Sequence, residues 1–319
     1  YYPSKNVNFV GNKINLTGGD GLVMIGVKGG YFERNVSYHA NFLGRSGTAN
    51  VGMWPISSSD IVMQYNEAAY CHLANGGADG EGFDIDIGCR NILFRYNYSH
   101  DNDGGGILLC NTGGQVTLCD EDGNVRKDEN GKVVIEKGRA EWSDVFIKNN
   151  VFARNGKKKG NFPALMHVAG SCENVYFENN TVIFTDNVSQ PLMTVTKWDS
   201  EYDSSSPNKF YFKNNVFLSP VPNESYLRYT YMGEDYLFLS NVYYNMSESF
   251  AEVASDTKAF SFDPLIGIPD DAKGYEKIYD YVPGERKCSE GALLLKGRNL
   301  YDAAGNKVTG RRYFGAIVA

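Results

Sequence analysis

Residues 174–180 read NVYFENN, and the heart of this phrase is an apolar residue, any residue, an apolar residue, two of any kind, then Asn. The copy there is Val175-Phe177-Asn180. Seven others are Val7-Phe9-Asn12, Gly30-Phe32-Asn35, Ile61-Met63-Asn66, Ile92-Phe94-Asn97, Val145-Ile147-Asn150, Phe210-Phe212-Asn215 and Tyr236-Phe238-Asn241. Successive Asn residues lie 23, 31, 31, 53, 30, 35 and 26 apart. A unit of this size marks a solenoid, in which each repeat buries its apolar face only against its neighbours. Within the unit the apolar signal has period 2, so the repeating piece is a strand. Asn tolerates left-handed backbone and can hydrogen-bond to its own kind from one repeat to the next. The pattern predicts an all-β, right-handed parallel β-helix: rungs over 1–260, interrupted by an insertion at 111–142, then a last rung and C-terminal cap over 261–319.

A coarse rung reads as the repeat strand, a turn, a second strand and a longer loop. The second strands are expected at "GLVMIG" (21–26), "VGMWPI" (51–56), "GFDIDI" (82–87), "GILLC" (106–110), "PALMHVA" (163–169) and "LMTVTKW" (192–198). The insertion is dense in charge and glycine and predicts a hairpin, with turns near Asp122-Gly123 and Asn130-Gly131. Residues 270–280 are the best candidate for a short helix. The chain reaches its first repeat within a few residues of Tyr1, leaving no room for a capping element. That predicts a processed product, with an N-terminal fragment or domain of the same precursor as a partner.

With 31 Lys plus Arg against 38 Asp plus Glu, the chain carries a formal charge of -7, which argues against a nucleic-acid partner. No window approaches the length of apolar sequence needed to span a membrane. The 22 Tyr and 18 Phe are expected to fill rungs, and a Tyr-rich exterior also suits sugar stacking. Six Cys (71, 89, 110, 119, 172 and 288) have no Cys-x-x-Cys spacing, which weakens zinc and thioredoxin-like readings. Cys89 and Cys172 each precede a repeat phrase, where buried thiols would stack as small apolar groups.

The chemistry concentrates at 75–110, "NGGADGEGFDIDIGCRNILFRYNYSHDNDGGGILLC". Alternation in "GFDIDIG" sends Phe83, Ile85 and Ile87 into the coil and Asp84 and Asp86 outward on one strand. Same-face neighbours on a strand lie roughly 6.5–7 Å apart at the backbone, a spacing that permits an acid/base pair without choosing retention or inversion. The flanking loop adds Asp79 and Glu81, and the next rung adds His100, Asp101 and Asp103. Crowded carboxylates raise one another's pKa, which keeps one protonated as a general acid. Such a cluster could equally hold calcium, and Asp101 and Asp103 beside glycine also suit turns. Stacking of the second strands is expected to align Trp54, Asp84 with Asp86, His167, and Lys197 or Trp198 into a sugar groove.

The phrase NVYFENN and the segment "GEGFDIDIGCRNILFRYNYSHDNDGGGILLC" (80–110) resemble bacterial right-handed parallel β-helix proteins of the pectinase-like superfamily. The ending "LYDAAGNKVTGRRYFGAIVA" (300–319) is similar to the last rung of exported, glycan-degrading members. The resemblance implies a secreted, periplasmic or surface carbohydrate-active protein, the C-terminal part of a glycoside hydrolase. Hydrolytic members usually place Asp pairs on one sheet of adjacent rungs, which Asp84 with Asp86 or Asp101 would match. The polygalacturonase motifs Asn-Thr-Asp, Gly-His-Gly and Arg-Ile-Lys are absent. Three functions are therefore weighed. The first is a glycoside hydrolase, with Asp84, Asp86 and Asp101 as catalytic candidates and Trp54, Glu81, His100, Asp103, His167, Lys197 and Trp198 lining the substrate, needing no cofactor. The second is a polysaccharide lyase, in which the acids hold calcium and Lys197 or Arg228 takes the proton. The third is a glycan-binding surface protein without catalysis.

Overall fold

The computed structural model describes residues 3–117, 120, 124–139, 142–158, 164–187, 189–196, 209–223 and 235–246, with 256, 258–261 and 264 beyond them. The described residues contain 26 strands and no helix. They form a parallel β-helix of three long sheets. The first sheet has eight strands, from Ser4–Val10 to Asp235–Leu239, and contains every copy of the repeat phrase. The second, also of eight strands, runs from Lys13–Asn15 to Val242–Met246. The third has six: Leu22–Ile25, Met53–Ile56, Phe83–Ile85, Ile107–Asn111, Met166–Gly170 and Met193–Thr196.

Each rung thus has three strands, one more than the sequence pattern revealed. The unforeseen one follows the Asn immediately, as in Val36–Tyr38 or Thr181–Ile183. At three residues it is too short to carry a readable alternation. The strands expected second in each rung are the third sheet.

Register keeps like positions in line. Ile92 pairs with Ile61 on one side and Val145 on the other, and Phe94 with Met63 and Ile147. All six are fully buried. The two apolar slots of the phrase therefore stack as continuous columns, with Phe83, Phe94, Phe152, Phe177, Phe210 and Phe212 filling the width of the coil. On the outer face of the first sheet, Phe146, Tyr176 and Tyr211 stack at 5.0 and 4.9 Å between centroids. Their ring faces cover one another, so this part of the aromatic exterior offers edges to solvent and no flat platform for a sugar.

The Asn residues form a buried ladder. The side-chain amide of Asn66 donates to Asn97 Oδ1 at 2.9 Å and to the Phe32 carbonyl at 2.7 Å. Asn97 repeats this with Asn150 at 3.2 Å and Met63 at 2.9 Å. The same arrangement continues through Asn180, Asn215 and Asn241. The left-handed residue is not the ladder Asn but the one before it: Arg34, Tyr65, Tyr96, Asn149, Asn179, Asn214 and Ser240 have φ between 54° and 59°. That residue turns the chain through the corner between sheets, and the turn aims the following amide inward. A second, shorter ladder joins Asn102 to Asn155 at 2.7 Å.

The insertion is an antiparallel hairpin, Gly113–Thr117 against Ile135–Arg139. The expected turn at Asn130-Gly131 is present, with Gly131 at φ 77° and its N–H donating to the Asp128 carbonyl at 2.9 Å. Asp122-Gly123 lies outside the described residues, as do Cys119, Cys288, Lys197, Trp198, Arg228, the 270–280 segment and most of 261–319. Cys71, Cys89 and Cys172 are buried free thiols. Cys89 and Cys172 donate weakly to the carbonyls of Pro55 and Leu109, the packing role expected of them. No helix among the described residues is long and apolar enough to cross a membrane.

Candidate active site

The outer face of the third sheet carries one file of side chains. Val23 pairs with Trp54, Asp84 with Leu108, Leu108 with His167, and His167 with Thr194. Phe83 pairs with Met53, which sets Asp84 beside Trp54 in the same file. Adjacent rungs are about 4.8 Å apart, so two spacings separate Asp84 from His167, with Leu108 between them. That Leu was missing from the expected alignment, and Thr194 takes the place after His167.

Alternation holds through Phe83, Asp84 and Ile85, where the strand ends. Phe83 and Ile85 are fully buried in the core, whereas Ile87 lies past the strand and is partly exposed. Asp84 points out of the coil but is only 3% exposed, and its Oδ1 is buried with no hydrogen-bond partner among the described residues. Asp86, partly exposed, accepts the Ile87 backbone N–H at 2.6 Å and the Cys110 thiol.

Loops entering the third sheet bring the remaining acids. Asp20 Oδ1 accepts the Trp54 indole N–H at 2.9 Å and the Val51 N–H at 2.8 Å, fixing the indole in the file. Asp79 ends the short strand Ala78–Asp79, beside Asn50, with φ at 67°. Glu81 is fully buried, and no side-chain donor meets its carboxylate among the described residues, only the backbone N–H groups of Glu81 itself and Gly105 coming near it. Next to it, Gly82 passes so close to Ser99 and Asn102 that a Cβ would fall 2.4 Å from the Ser99 hydroxyl.

Asp79, Glu81 and His167 converge, each offering a ligand atom within 4.8 Å of the others. His167 Nδ1 lies 3.7 Å from Glu81 Oε1, and its Nε2 lies 3.0 Å from Thr196 Oγ1. Among the described residues no Lys or Arg pairs with Asp79, Glu81, Asp84 or Asp86. Burial is the main force on these groups, with mutual repulsion added. It pushes Asp79 up to about 7, assisted by Glu81, and Glu81 up to about 8. Asp84 rises well above the carboxylate range through burial and then Asp86 and Asp79. Asp86 is also raised by burial, and the Ile87 and Cys110 donors pull it back. Burial lowers His167 to about 4, so its imidazole is neutral.

The structure gathers Trp54, Asp84, Asp86, Glu81 and His167, and Asp79 and Asp20 join them. Asp79 was visible in the sequence as a flanking acid, whereas nothing local connected Asp20 to a residue 34 positions on. The structure does not bring in His100, Asp101 or Asp103. They belong to the second sheet and the corner after it, because the unforeseen strand Tyr98–His100 occupies that part of the rung. His100, fully buried, faces Asp101 Oδ2 at 2.7 Å and Glu67 Oε1 at 2.9 Å. Arg154 grips Asp101 with two hydrogen bonds of 3.1 and 2.8 Å, and Lys157 adds a contact at 2.5 Å. Burial alone would raise Asp101, but these cationic and imidazole donors hold it well below the carboxylate range. Asp103 pairs with Lys158 at 2.6 Å and accepts the Leu73 N–H at 3.0 Å.

No family model matches the chain. A curated relative, a lacto-N-biosidase of Bifidobacterium longum subsp. longum, is 33% identical over 122 residues. That stretch is 34% of this chain and 8% of the relative, so the likeness spans a small part of a much longer protein. A solved structure described as a complex of XylC with xylose matches 97% of this chain and 50% of its own at a TM-score of 0.53. At 12% identity it is alike in fold.

Proposed function

We propose that the chain is the β-helix portion of a glycoside hydrolase, acting on a glycan in the groove over the third sheet. The observation that carries this reading is a set of outward carboxylates whose environments differ. Asp84 is desolvated and surrounded by other acids, which holds it protonated, as a general acid must be. Asp86 is raised by burial too, but it accepts a backbone amide and a thiol, which draw it back toward the anion needed in a base or nucleophile. Trp54, fixed by Asp20, stands one rung away as a sugar-facing aromatic. Partial likeness to a lacto-N-biosidase supports glycosidic chemistry and suggests a first substrate ending in lacto-N-biose.

The test is incubation with a glycan panel that includes such a substrate, reading new reducing ends and ultraviolet-absorbing unsaturated ends together. Hydrolysis predicts reducing ends only, lost in Asp86→Asn and Asp84→Asn. Unsaturated ends would indicate a lyase instead, and undiminished activity in both variants would remove this pair. The lyase reading would take Lys197 or Arg228 as its base, and both lie outside the described residues. A secreted or surface location follows from the same proposal, since polymeric glycans are met outside the cell.

A further inference from the structure

We propose that Asp79, Glu81 and His167 form a binding site for one divalent cation of the zinc or manganese class, at the edge of the groove beside Asp84. The geometry is that of ligands and not of hydrogen-bonded partners. His167 Nδ1 and Glu81 Oε1 are 3.7 Å apart, too long for a hydrogen bond. The distance is close to the roughly 3.4 Å separating two ligands that each bind a tetrahedral ion at about 2.1 Å. All three ligand atoms fall within 4.8 Å of one another.

The independent observation is Glu81 itself. It is fully buried, points into this cluster, and meets no cation and no side-chain donor among the described residues, only its own N–H and that of Gly105 coming near it. A buried carboxylate ordinarily finds a cation or donors, and a metal ion is the partner that fits here. The far side of His167 is arranged accordingly. The Thr196 hydroxyl donates to the Val168 carbonyl at 3.5 Å and meets His167 Nε2 at 3.0 Å. The contact at Nε2 leaves Nδ1 as the ring atom turned toward Glu81. Such support behind a ligand is the usual companion of a metal-binding His. The donor set also chooses the metal class. One imidazole nitrogen and two carboxylates suit zinc or manganese, whereas calcium prefers six to eight oxygens. On sequence alone no cofactor was needed and calcium was kept as an alternative; a set that includes His167 suits calcium less well.

The experiment needs no substrate, so it stands apart from the hydrolase reading. The full chain is stripped with chelator and dialysed against buffer containing ZnCl2, MnCl2 or CaCl2. Bound metal is counted by mass spectrometry, and melting temperature is read for wild type, Glu81→Gln and His167→Gln. The expected result is one zinc or manganese per chain with a raised melting temperature, both lost in Glu81→Gln while its fold persists. No retained metal and no shift in wild type would overturn the site, and Asp79 and Glu81 would then carry protons, freeing Asp79 as a general acid. Equal uptake by wild type and both variants would mean an adventitious ion only. Stabilisation by calcium alone would refute the role of His167.

Discussion

The carboxylate of Asp256 accepts the side-chain amide of Asn241 at 2.9 Å and so ends the asparagine ladder. It also takes the backbone N–H groups of Ser240 and Asn241 at 2.8 and 2.9 Å, and the Tyr243 hydroxyl at 3.2 Å. An acid has replaced the next Asn: it accepts as Asn would, but has no amide to pass onward. Replacing it with Ala leaves these donors around Asn241 unpaired, at about 1–3 kcal/mol for each that stays buried. Asp256→Ala is expected to lose hydrogen-exchange protection first at Asn241 and Val242, while amides near Asn97 stay protected. Uniform loss along the chain would contradict a terminating role.

Inside the ladder the same chemistry is costlier. Asn97 is buried and gives its amide to Asn150 and Met63 while accepting from Asn66. Asn97→Ala orphans groups on both neighbouring rungs, and a loss of about 2–4 kcal/mol is expected from two or more unpaired buried groups. Chemical denaturation of wild type and variant measures it; a change below about 0.5 kcal/mol, ordinary for a surface site, would mean that the ladder merely accompanies the fold.

The acids of the groove should weaken the fold that holds them. A carboxyl whose folded pKa lies above its unfolded value binds more protons in the native state, so its cost appears as pH rises through that interval. Asp84 and Asp86 are both raised. Each unit of elevation costs about 1.4 kcal/mol once the group is ionised. Asp84→Asn is therefore expected to raise the melting temperature at pH 8 while abolishing glycan cleavage, with little thermal effect near pH 4. In wild type, activity should fall at low pH as Asp86 protonates and at high pH as Asp84 ionises. Loss of the high-pH limb in a variant that keeps Asp84 would assign the acid elsewhere.

Asp101 should behave in the opposite sense. Its folded pKa is lowered against burial by His100, Arg154 and Lys157. The stability it contributes is therefore present above the unfolded carboxylate value near 3.9 and drains away as pH falls below it. Asp101→Asn is expected to cost about 2–3 kcal/mol at neutral pH, less than a fully buried pair because Lys157 is largely in water. The gap between variant and wild type should close in acid. Glycan turnover per folded molecule should stay within a factor of about 2, well under 1 kcal/mol of barrier.

Val175-Phe177-Asn180 and its seven copies made the architecture readable because solenoid registry is local: each phrase specifies the same inward columns wherever it occurs. Asp84 was readable for the same reason, since alternation between Phe83 and Ile85 settles which way it faces, whereas Asp86 lies past the end of that strand. Asp101, His100 and Asp103 were misplaced because Tyr98–His100 is a three-residue strand, too short to signal that the chain had turned onto another sheet. Asp20 and Asp256 were invisible because their roles depend on loops closing between distant rungs. How deeply Asp84 sits is likewise set by neighbours above and below its strand, and no single stretch of sequence records that.

Asn97 and Asn150 are separated by 53 residues along the chain, yet their side chains meet at 3.2 Å, as they do across intervals of about half that length. Every coil closes on the one beneath it through its own amides, so the frame does not register how far the chain has wandered in between. The hairpin hung after Asn111 can grow, shrink or be exchanged without moving Asp84 or Asp86. A lineage built on this coil could lengthen or replace that hairpin while the asparagine ladder stays as it is.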